Sequence, residues 1–339
     1  MLPLIRASSL RGFGDLVREL GGEPATLLTR FGMSLAVLDN DDELVPITDH
    51  DRMLDAAADE LDCPDLGLRL AARQDLSILG PVAHAISLSQ NATEAIECVT
   101  QFLFVHSPAL TIRLEDDPWR RAGVVALTYR KDLSDSPYSP QAVELGVGLF
   151  YRIALHLVGG SEGLRSVELP HHPMSAVDRY LDFFGTDVKF GRPVAALCVT
   201  RRALESAFGS ADADHRAAAI AALVTTYEDP SRLVSSQVRR VIAESPPGSL
   251  PQLAEVAARL GTHSRTLQRQ LAAEGTTFAQ VQDALRRDRA LRLITTTRLS
   301  FIQVADLVGF SEQSTLSHAC RRWFGLSPAA LRQCPDLSR

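Results

Sequence analysis

Two groups of side chains in the last third of the chain have the types and spacing to read a polyanion. The first is Arg265, Thr266, Gln268 and Arg269; the second is Gln313, Ser314, Thr315, Ser317, His318 and Arg321. Arginine and glutamine can form paired hydrogen bonds to purine edges in the major groove of DNA, while serine and threonine reach bases or phosphates. Such groups work together only if a helix presents them on one outward face. Leu267 with Leu271, and Leu316 with Cys320, recur at helical spacing and place an apolar stripe beneath each polar face.

The elements needed to hold those helices repeat. Val256-Ala257 is followed by Leu260-Gly261 and then by Leu267; Val304-Ala305 is followed by Val308-Gly309 and then by Leu316. A small alanine lets a second helix cross close to the first, and a glycine takes the left-handed backbone of the turn, which together predict a helix-turn-helix. The second turn is one residue longer, with seven positions from Gly309 to Leu316 against six from Gly261 to Leu267. Helices are predicted over 250–260, 264–273, 278–294, 300–308 and 311–324, closed by Gly261, Gly275, a run of three threonines, Gly309 and Gly325. Ser300 and Gln303 form a capping-box pattern. The connector over 278–294 is about 25 Å long at helical rise. A rod of that length could hold two recognition helices about one turn of DNA, roughly 34 Å, apart. Arg286, Arg287, Arg289 and Arg292 on the connector are expected to pair with Asp283 and Asp288 rather than to serve the DNA backbone.

Charge is distributed to match. The 339 residues carry a formal charge of −6, yet from Pro230 onward 15 arginines face 8 acidic residues, giving +7, and the rest carries −13. A basic segment joined to an acidic one suggests that one part meets polyanions and the other does not. A domain boundary is predicted near Tyr227-Glu228-Asp229-Pro230, with a second break at Ser245-Pro246-Pro247-Gly248-Ser249 and a short helix between them. Before the boundary, helices are predicted over 10–20, 49–60, 93–105, 140–158, 176–184 and 214–227. Short strands rich in Val, Leu and Ile are predicted over 110–114, 124–129, 165–169, 188–190 and 196–200. The two kinds of element neither alternate strictly nor segregate, so the expected fold is an α+β N-terminal domain over 1–228. After it comes an all-α C-terminal domain over 231–335, with helix-turn-helix motifs at about 250–273 and 300–324 joined by a connector helix.

Other chemistries lack support. Hydrophobic residues make up 45% and charged residues 22%, ordinary values for a globular protein. No run of about 18 apolar residues occurs; the greasy segment 143–158 is broken by Glu144, Arg152 and His156, so no membrane partner is expected. Charge at Arg6, Arg11 and Asp15 argues against a signal peptide, and the cytoplasm is the expected location. Cys63, Cys98, Cys198, Cys320 and Cys334 are odd in number and scattered, and read as reduced, mostly buried thiols. His84, His106, His156, His171 and His172 have no Cys, Asp or Glu at metal-ligand spacing and read as satisfied structural histidines, so no metal is expected. No phosphate-cradling glycine loop, nucleophile elbow or paired zinc cysteines is present, so neither a cofactor nor enzymatic activity is expected.

Residues 231–333 resemble the DNA-binding domain of the AraC/XylS family of bacterial transcription regulators. The resemblance is carried by Val256-Ala-Ala-Arg-Leu-Gly261, Arg265-Thr-Leu-Gln-Arg269 with Leu271-Ala-Ala-Glu-Gly275, Val304-Ala-Asp-Leu-Val-Gly-Phe310, and Ser314-Thr-Leu-Ser-His-Ala-Cys-Arg-Arg-Trp-Phe-Gly325 with Ser327-Pro328 and Arg332. It implies seven helices and base contacts from Arg265, Gln268 and Arg269, and from the surface bearing Gln313, Ser314, Ser317 and His318. Three positions depart from the family pattern. His263 stands where a serine usually caps the first recognition helix, leaving Ser264 as the expected cap; His318 replaces a frequent arginine and Cys320 a usual core phenylalanine. The acidic part is similar to the arabinose-binding-like effector domain of one AraC subgroup, through Leu79-Gly80-Pro81, Thr93-Glu-Ala-Ile-Glu97, Val105-His-Ser-Pro108 and Val188-Lys-Phe190 with Pro193. That resemblance implies a transcription regulator whose partners are double-stranded DNA, a small-molecule effector, RNA polymerase and a second copy of the chain. The helix over 141–158 is a candidate dimer surface or a core helix. A domain that only dimerises or contacts protein, without a ligand, is the alternative.

Overall fold

The computed structural model describes residues 4–131, 138–158, 160, 163–205, 208, 212–227, 233–243, 245, 248 and 250–333. The predicted boundary at Glu228–Pro230, the prolines Pro246 and Pro247, the side chain of Arg292 and Cys334 lie outside them. Two compact units divide the chain, one reaching to Tyr227 and one formed mainly by the residues beyond it.

The first unit is α+β. A two-stranded antiparallel ribbon, β1 (Leu4–Arg6) with β2 (Leu44–Pro46), precedes a five-stranded sheet of β3 (Leu110–Asp116), β4 (Val124–Lys131), β5 (Leu164–Glu168), β6 (Val188–Lys189) and β7 (Ala195–Thr200). The sheet order is β3-β4-β7-β5-β6, antiparallel except for the β5–β6 pair. The predicted strands all form, because their apolar residues alternate: Val125, Leu127 and Tyr129 face the main core while Ala126, Ala196 and Cys198 meet on the opposite face. The ribbon escapes the sequence pattern, being three residues per strand, too short to show a period.

Helices α1 (Phe13–Glu19), α2 (Pro24–Arg30), α3 (Ile47–Glu60), α4 (Leu66–Ala71), α5 (Pro81–Ser87) and α6 (Ala92–Phe102) build the N-terminal layer. The central helix α7 (Pro140–Val158) then leads to α8 (Val177–Phe184), α9 (Arg201–Leu204) and α10 (Ala213–Thr226). By length and composition α7 could cross a membrane, but 56% of it is buried inside the protein. Its charged residue Glu144 is fully buried and accepts a hydrogen bond from Tyr180 Oη at 2.6 Å, with His171 Nε2 at 3.1 Å. Of the two fates expected for this helix, the structure shows core burial.

The second unit is all-α. It comprises α11 (Val234–Ala243), α12 (Leu253–Arg259), α13 (Ser264–Ala273), α14 (Phe278–Thr296), α15 (Phe301–Val308), α16 (Gln313–Phe324) and α17 (Pro328–Gln333). It holds two small apolar cores. Val238, Val241, Ile242, Val256, Leu267, Leu271 and Val281 form one; Ala290, Ile294, Val304, Val308, Leu316, Cys320 and Leu331 form the other. Helix α14 contributes to both, so a single rod carries two packed lobes.

Candidate DNA-binding surface and ligand cavity

The two helix pairs turn by the same local device. Gly261 and Gly309 hold φ at +65° and +86°, the left-handed region that glycine enters without steric cost. In each turn the next residue donates its amide back to the repeated alanine: Thr262 N to Ala257 O at 2.9 Å, and Phe310 N to Ala305 O at 2.8 Å. Ala257 and Ala305 are themselves buried, leaving room for the following helix. The extra residue of the second turn falls between the glycine and α16.

Each recognition helix then buries its apolar stripe. Leu267 and Leu271 on α13, and Leu316 and Cys320 on α16, have no exposed surface. Arg265, Gln268 and Arg269 stand exposed on α13 with Thr266 half-buried beside them. Gln313, Ser314, Thr315, His318 and Arg321 stand exposed on α16 with Ser317 half-buried. Ser314 Oγ donates to Glu312 Oε2 at 3.0 Å, so one hydroxyl of the set is engaged and a carboxylate lies at the start of α16.

Caps differ along the domain. Ser300 and Gln303 close the predicted capping box on α15, and Thr277 Oγ1 accepts from Gln280 N at 3.2 Å on α14. The first recognition helix behaves otherwise. Ser264 is its first helical residue rather than the expected cap, and the N-cap His263 makes no side-chain bond. Helix α16, with Glu312 at its N-cap position, likewise has no side-chain bond to its first-turn amides. Both recognition helices therefore keep first-turn amides available to an outside acceptor.

Asp283 and the described connector arginines also make contacts with other elements of the domain. Asp283 takes Arg322 Nη2 at 2.6 Å and Trp323 Nε1 at 2.9 Å, both from α16. Arg286 lies over the Phe310 ring at 5.2 Å and Arg287 over Phe324 at 5.4 Å. Burial lowers the Arg286 guanidinium from its ordinary value, against the pull of Asp283. Arg289 Nη1 reaches Leu307 O at 3.5 Å, a carbonyl that also accepts from Gly248 N at 3.1 Å. The segment entering the first motif is thus bonded to the end of α15.

Three supports carry little or no signal in the sequence. Glu274 accepts from Val234 N at 2.5 Å and Ser235 N at 2.9 Å, capping α11; burial opposes its ionisation, but these bonds hold its carboxyl below the usual range. Arg259 Nη1 donates to Val241 O at 3.2 Å at the other end of α11. Arg332 donates to Ile294 O at 3.2 Å and Leu299 O at 2.7 Å while stacking on Phe301 at 4.2 Å. All three fall within segments that carry the family resemblance, but the backbone groups they hold are not legible there.

The first unit holds a cavity of about 140 Å³, partly open to its surroundings, between α6, α7 and the sheet. Its walls are aliphatic, with Ile96, Leu127 and Leu149 typical, and its polar margin includes Ser9, His50, Gln74, His106 and Lys131. A buried chain links three of these: Ser9 Oγ to His50 Nε2 at 2.8 Å, His50 Nδ1 to Asp51 Oδ1 at 2.9 Å, and Lys131 Nζ to Asp51 Oδ2 at 2.6 Å. His106 departs from the expected satisfied histidine: its Nδ1 is buried without a partner, and burial, reinforced by Arg6 and His50, pulls its pKa down to about 3.

Residues 21–208 match the arabinose-binding domain of AraC transcription regulators, N-terminal, and residues 256–333 match a helix-turn-helix domain. The chain is 35% identical over 330 residues to the HTH-type transcriptional regulator VirS of Mycobacterium tuberculosis, covering 97% of this chain and 96% of that one. It is 28% identical over 346 residues to the ornithine utilization regulator of Pseudomonas aeruginosa, covering 99% and 97%. The crystal structure of the transcriptional regulator CdpR from Pseudomonas aeruginosa aligns over 91% of this chain and 97% of its own, at 23% identity and a TM-score of 0.44. The chain belongs to the AraC family of DNA-binding transcription regulators, with an arabinose-binding-like domain before its helix-turn-helix domain.

Proposed function

We propose that α13 and α16 are two recognition helices of one chain that enter successive major grooves of double-stranded DNA. Arg265, Thr266, Gln268 and Arg269 would read one half-site, and Gln313, Ser314, Thr315, Ser317, His318 and Arg321 the other. The observation that carries this reading is that both helices bury an apolar stripe and expose these polar groups, behind turns built on the same alanine carbonyl. The open first-turn amides add sites for phosphate. Helix α14, at 19 residues, is about 28 Å long, close to one helical turn of DNA.

In the same reading residues 231–335 are the DNA-binding part, and residues 1–228 sense a small molecule that controls it. The cavity beneath α7 supports the sensing role. A second copy of the chain, RNA polymerase as the promoter partner, and action in the cytoplasm rest on the family alone. No enzymatic activity is proposed, since VirS is a transcriptional regulator and the Pseudomonas relative a regulator of ornithine utilization.

Footprinting of selected DNA with the purified chain tests the reading. Two protected patches about 10 base pairs apart on one face of the duplex are expected. Protection of a single patch, or none above non-specific binding, would refute two-site recognition.

A further inference from the structure

We propose that the cavity of the first unit takes a small, uncharged, mainly apolar molecule bearing one hydrogen-bond donor, and that it is not a sugar site. The inference rests on the effector reading and adds the class of effector.

Size sets the first limit. A dry cavity of roughly 150 Å³ lined by aliphatic and aromatic side chains holds benzene, and this one is about 140 Å³. The part of an occupant held inside is therefore of the order of one small ring with a short substituent.

Polar supply sets the second. Of the polar groups on the wall besides the tyrosines Tyr129 and Tyr151, Ser9, His50 and Lys131 are spent in the chain to Asp51, and Gln74 Nε2 is spent on Ser9 O at 2.8 Å and Arg11 O at 3.1 Å. Among the described residues of the wall, two buried atoms have no hydrogen-bond partner: Gln74 Oε1 and His106 Nδ1. Gln74 and His106 are 2% and 4% exposed, so bulk water does not serve them. A buried acceptor left without a donor costs about 1–3 kcal/mol, which a ligand hydroxyl or N–H aimed at Gln74 Oε1 would recover. A pentose carries a hydroxyl on nearly every carbon. Most of those would lie unpaired against Ile96, Leu127 and Leu149, each at a cost of about 1–3 kcal/mol.

Charge sets the third. Lys131, the cation on the wall, is neutralised by Asp51, and Asp55 lies close enough to feel both. His106 is held neutral by burial. An entering carboxylate would find no free counter-ion among the described wall residues, since Lys131 is already paired with Asp51, and a cation would find no carboxylate on the wall.

The test uses the full-length chain, with thermal shift and calorimetry against benzyl alcohol, toluene, benzoate and L-arabinose. Benzyl alcohol is expected to raise the melting temperature by mass action and to bind at least ten-fold more tightly than the other three. Ala95→Leu and Ala142→Leu narrow the cavity from α6 and α7 and should each abolish that shift; melting without ligand reports whether each variant folds, and either one suffices. Tightest binding by L-arabinose or benzoate, lost in the narrowed variants, would overturn the class of effector while leaving an effector site in place. Equal binding of toluene and benzyl alcohol would overturn the role given to Gln74 Oε1. Binding unchanged by the narrowed variants would move the site elsewhere. Absence of binding by all four would overturn the class of effector proposed for this cavity and leave the effector reading itself standing.

Discussion

Trp323 Nε1 donates to Asp283 Oδ2 across 2.9 Å, tying the second recognition helix to the connector. Arg322 holds the other oxygen of the same carboxylate at 2.6 Å. The two bonds are not equal. Arg322 is 64% exposed, so water screens its charge, whereas the indole is half-buried between Phe310 and Phe324. Trp323→Phe should keep most of the ring packing and cost about 1–2 kcal/mol through the lost bond to a charged acceptor. Arg322→Ala should cost less than about 1 kcal/mol. Hydrogen exchange across α16 measures both; a larger effect from Arg322 would reverse the assignment.

The two turn glycines separate conformational cost from steric cost. A Cβ on Gly261 would meet nothing within 4 Å, while a Cβ on Gly309 would lie 2.5 Å from Leu250 Cδ1. Gly261→Ala should therefore cost about 1–2 kcal/mol, the left-handed penalty alone. Gly309→Ala should cost more, because Leu250 must also move and it packs where the Gly248 segment meets α15. Urea unfolding of each variant checks the order, and equal losses would show that Leu250 yields freely.

Local features of the second unit were legible in the sequence because local chemistry decides them. Helix α13 runs over the span its caps predicted, Ser264–Ala273, and Gly309 and Gly325 end their helices in the left-handed conformation. Features that depend on distant pairing were not legible. Asp283 looks like a partner for arginines a turn away on its own helix, yet its bonds go to residues about forty positions on. The short helices α2, α4 and α5 lack the length that makes a period visible. The cavity had no sequence signal at all, since Gln74 and His106 come from separate segments and become neighbours of one space only through α6, α7 and the sheet.

On the two-site reading proposed above, the arginines of the outer faces should divide by what they touch on DNA. Arg269→Ala should cost about 1–3 kcal/mol at the cognate site and relax preference at one base position. Arg321→Ala should weaken all sequences alike and reduce the dependence of affinity on salt by about one counter-ion. Fluorescence titrations on cognate and scrambled duplexes at several salt concentrations measure both. A uniform loss for Arg269 would contradict base reading, and an unchanged salt slope for Arg321 would remove it from the phosphate contacts.

Buried His106 and half-buried Asp55 give the first unit opposed responses to acid. His106 has its pKa pulled down to about 3 by burial, so protonation favours the unfolded chain, and its contribution to stability is lost as pH falls below about 6.5. Asp55 is pushed up to about 6 by burial, so protonation favours the folded chain, and its contribution is lost as pH rises from about 4 to about 6. Each acts at about 1.4 kcal/mol per pH unit within its window, so the two nearly cancel between pH 4 and 6. Asp55→Asn should leave the His106 slope exposed, with stability falling on acidification; His106→Leu should leave the Asp55 slope, with stability rising. Melting temperatures of the full chain from pH 4 to 7 test this, and parallel curves for the two variants would disprove the assignment.

Arg332 closes the second helix-turn-helix from outside it. Its guanidinium donates to the carbonyls of Ile294, near the end of α14, and Leu299, just before α15, and its plane lies on Phe301. Those carbonyls belong to a helix end and a linker, so neither has an intrahelical donor of its own. A planar fork can reach both and stack at once, whereas an ammonium is a point charge on a flexible stem. Arg332→Lys should consequently fail to restore what Arg332→Ala removes, about 2 kcal/mol from two charge-assisted bonds. The loss should appear as reduced amide protection in α15 and α16 while α12 and α13 keep theirs, because the two lobes have separate cores. Full rescue by lysine would reduce the role of Arg332 to charge alone, and equal loss of protection in α12 and α13 would mean that the domain opens as one piece.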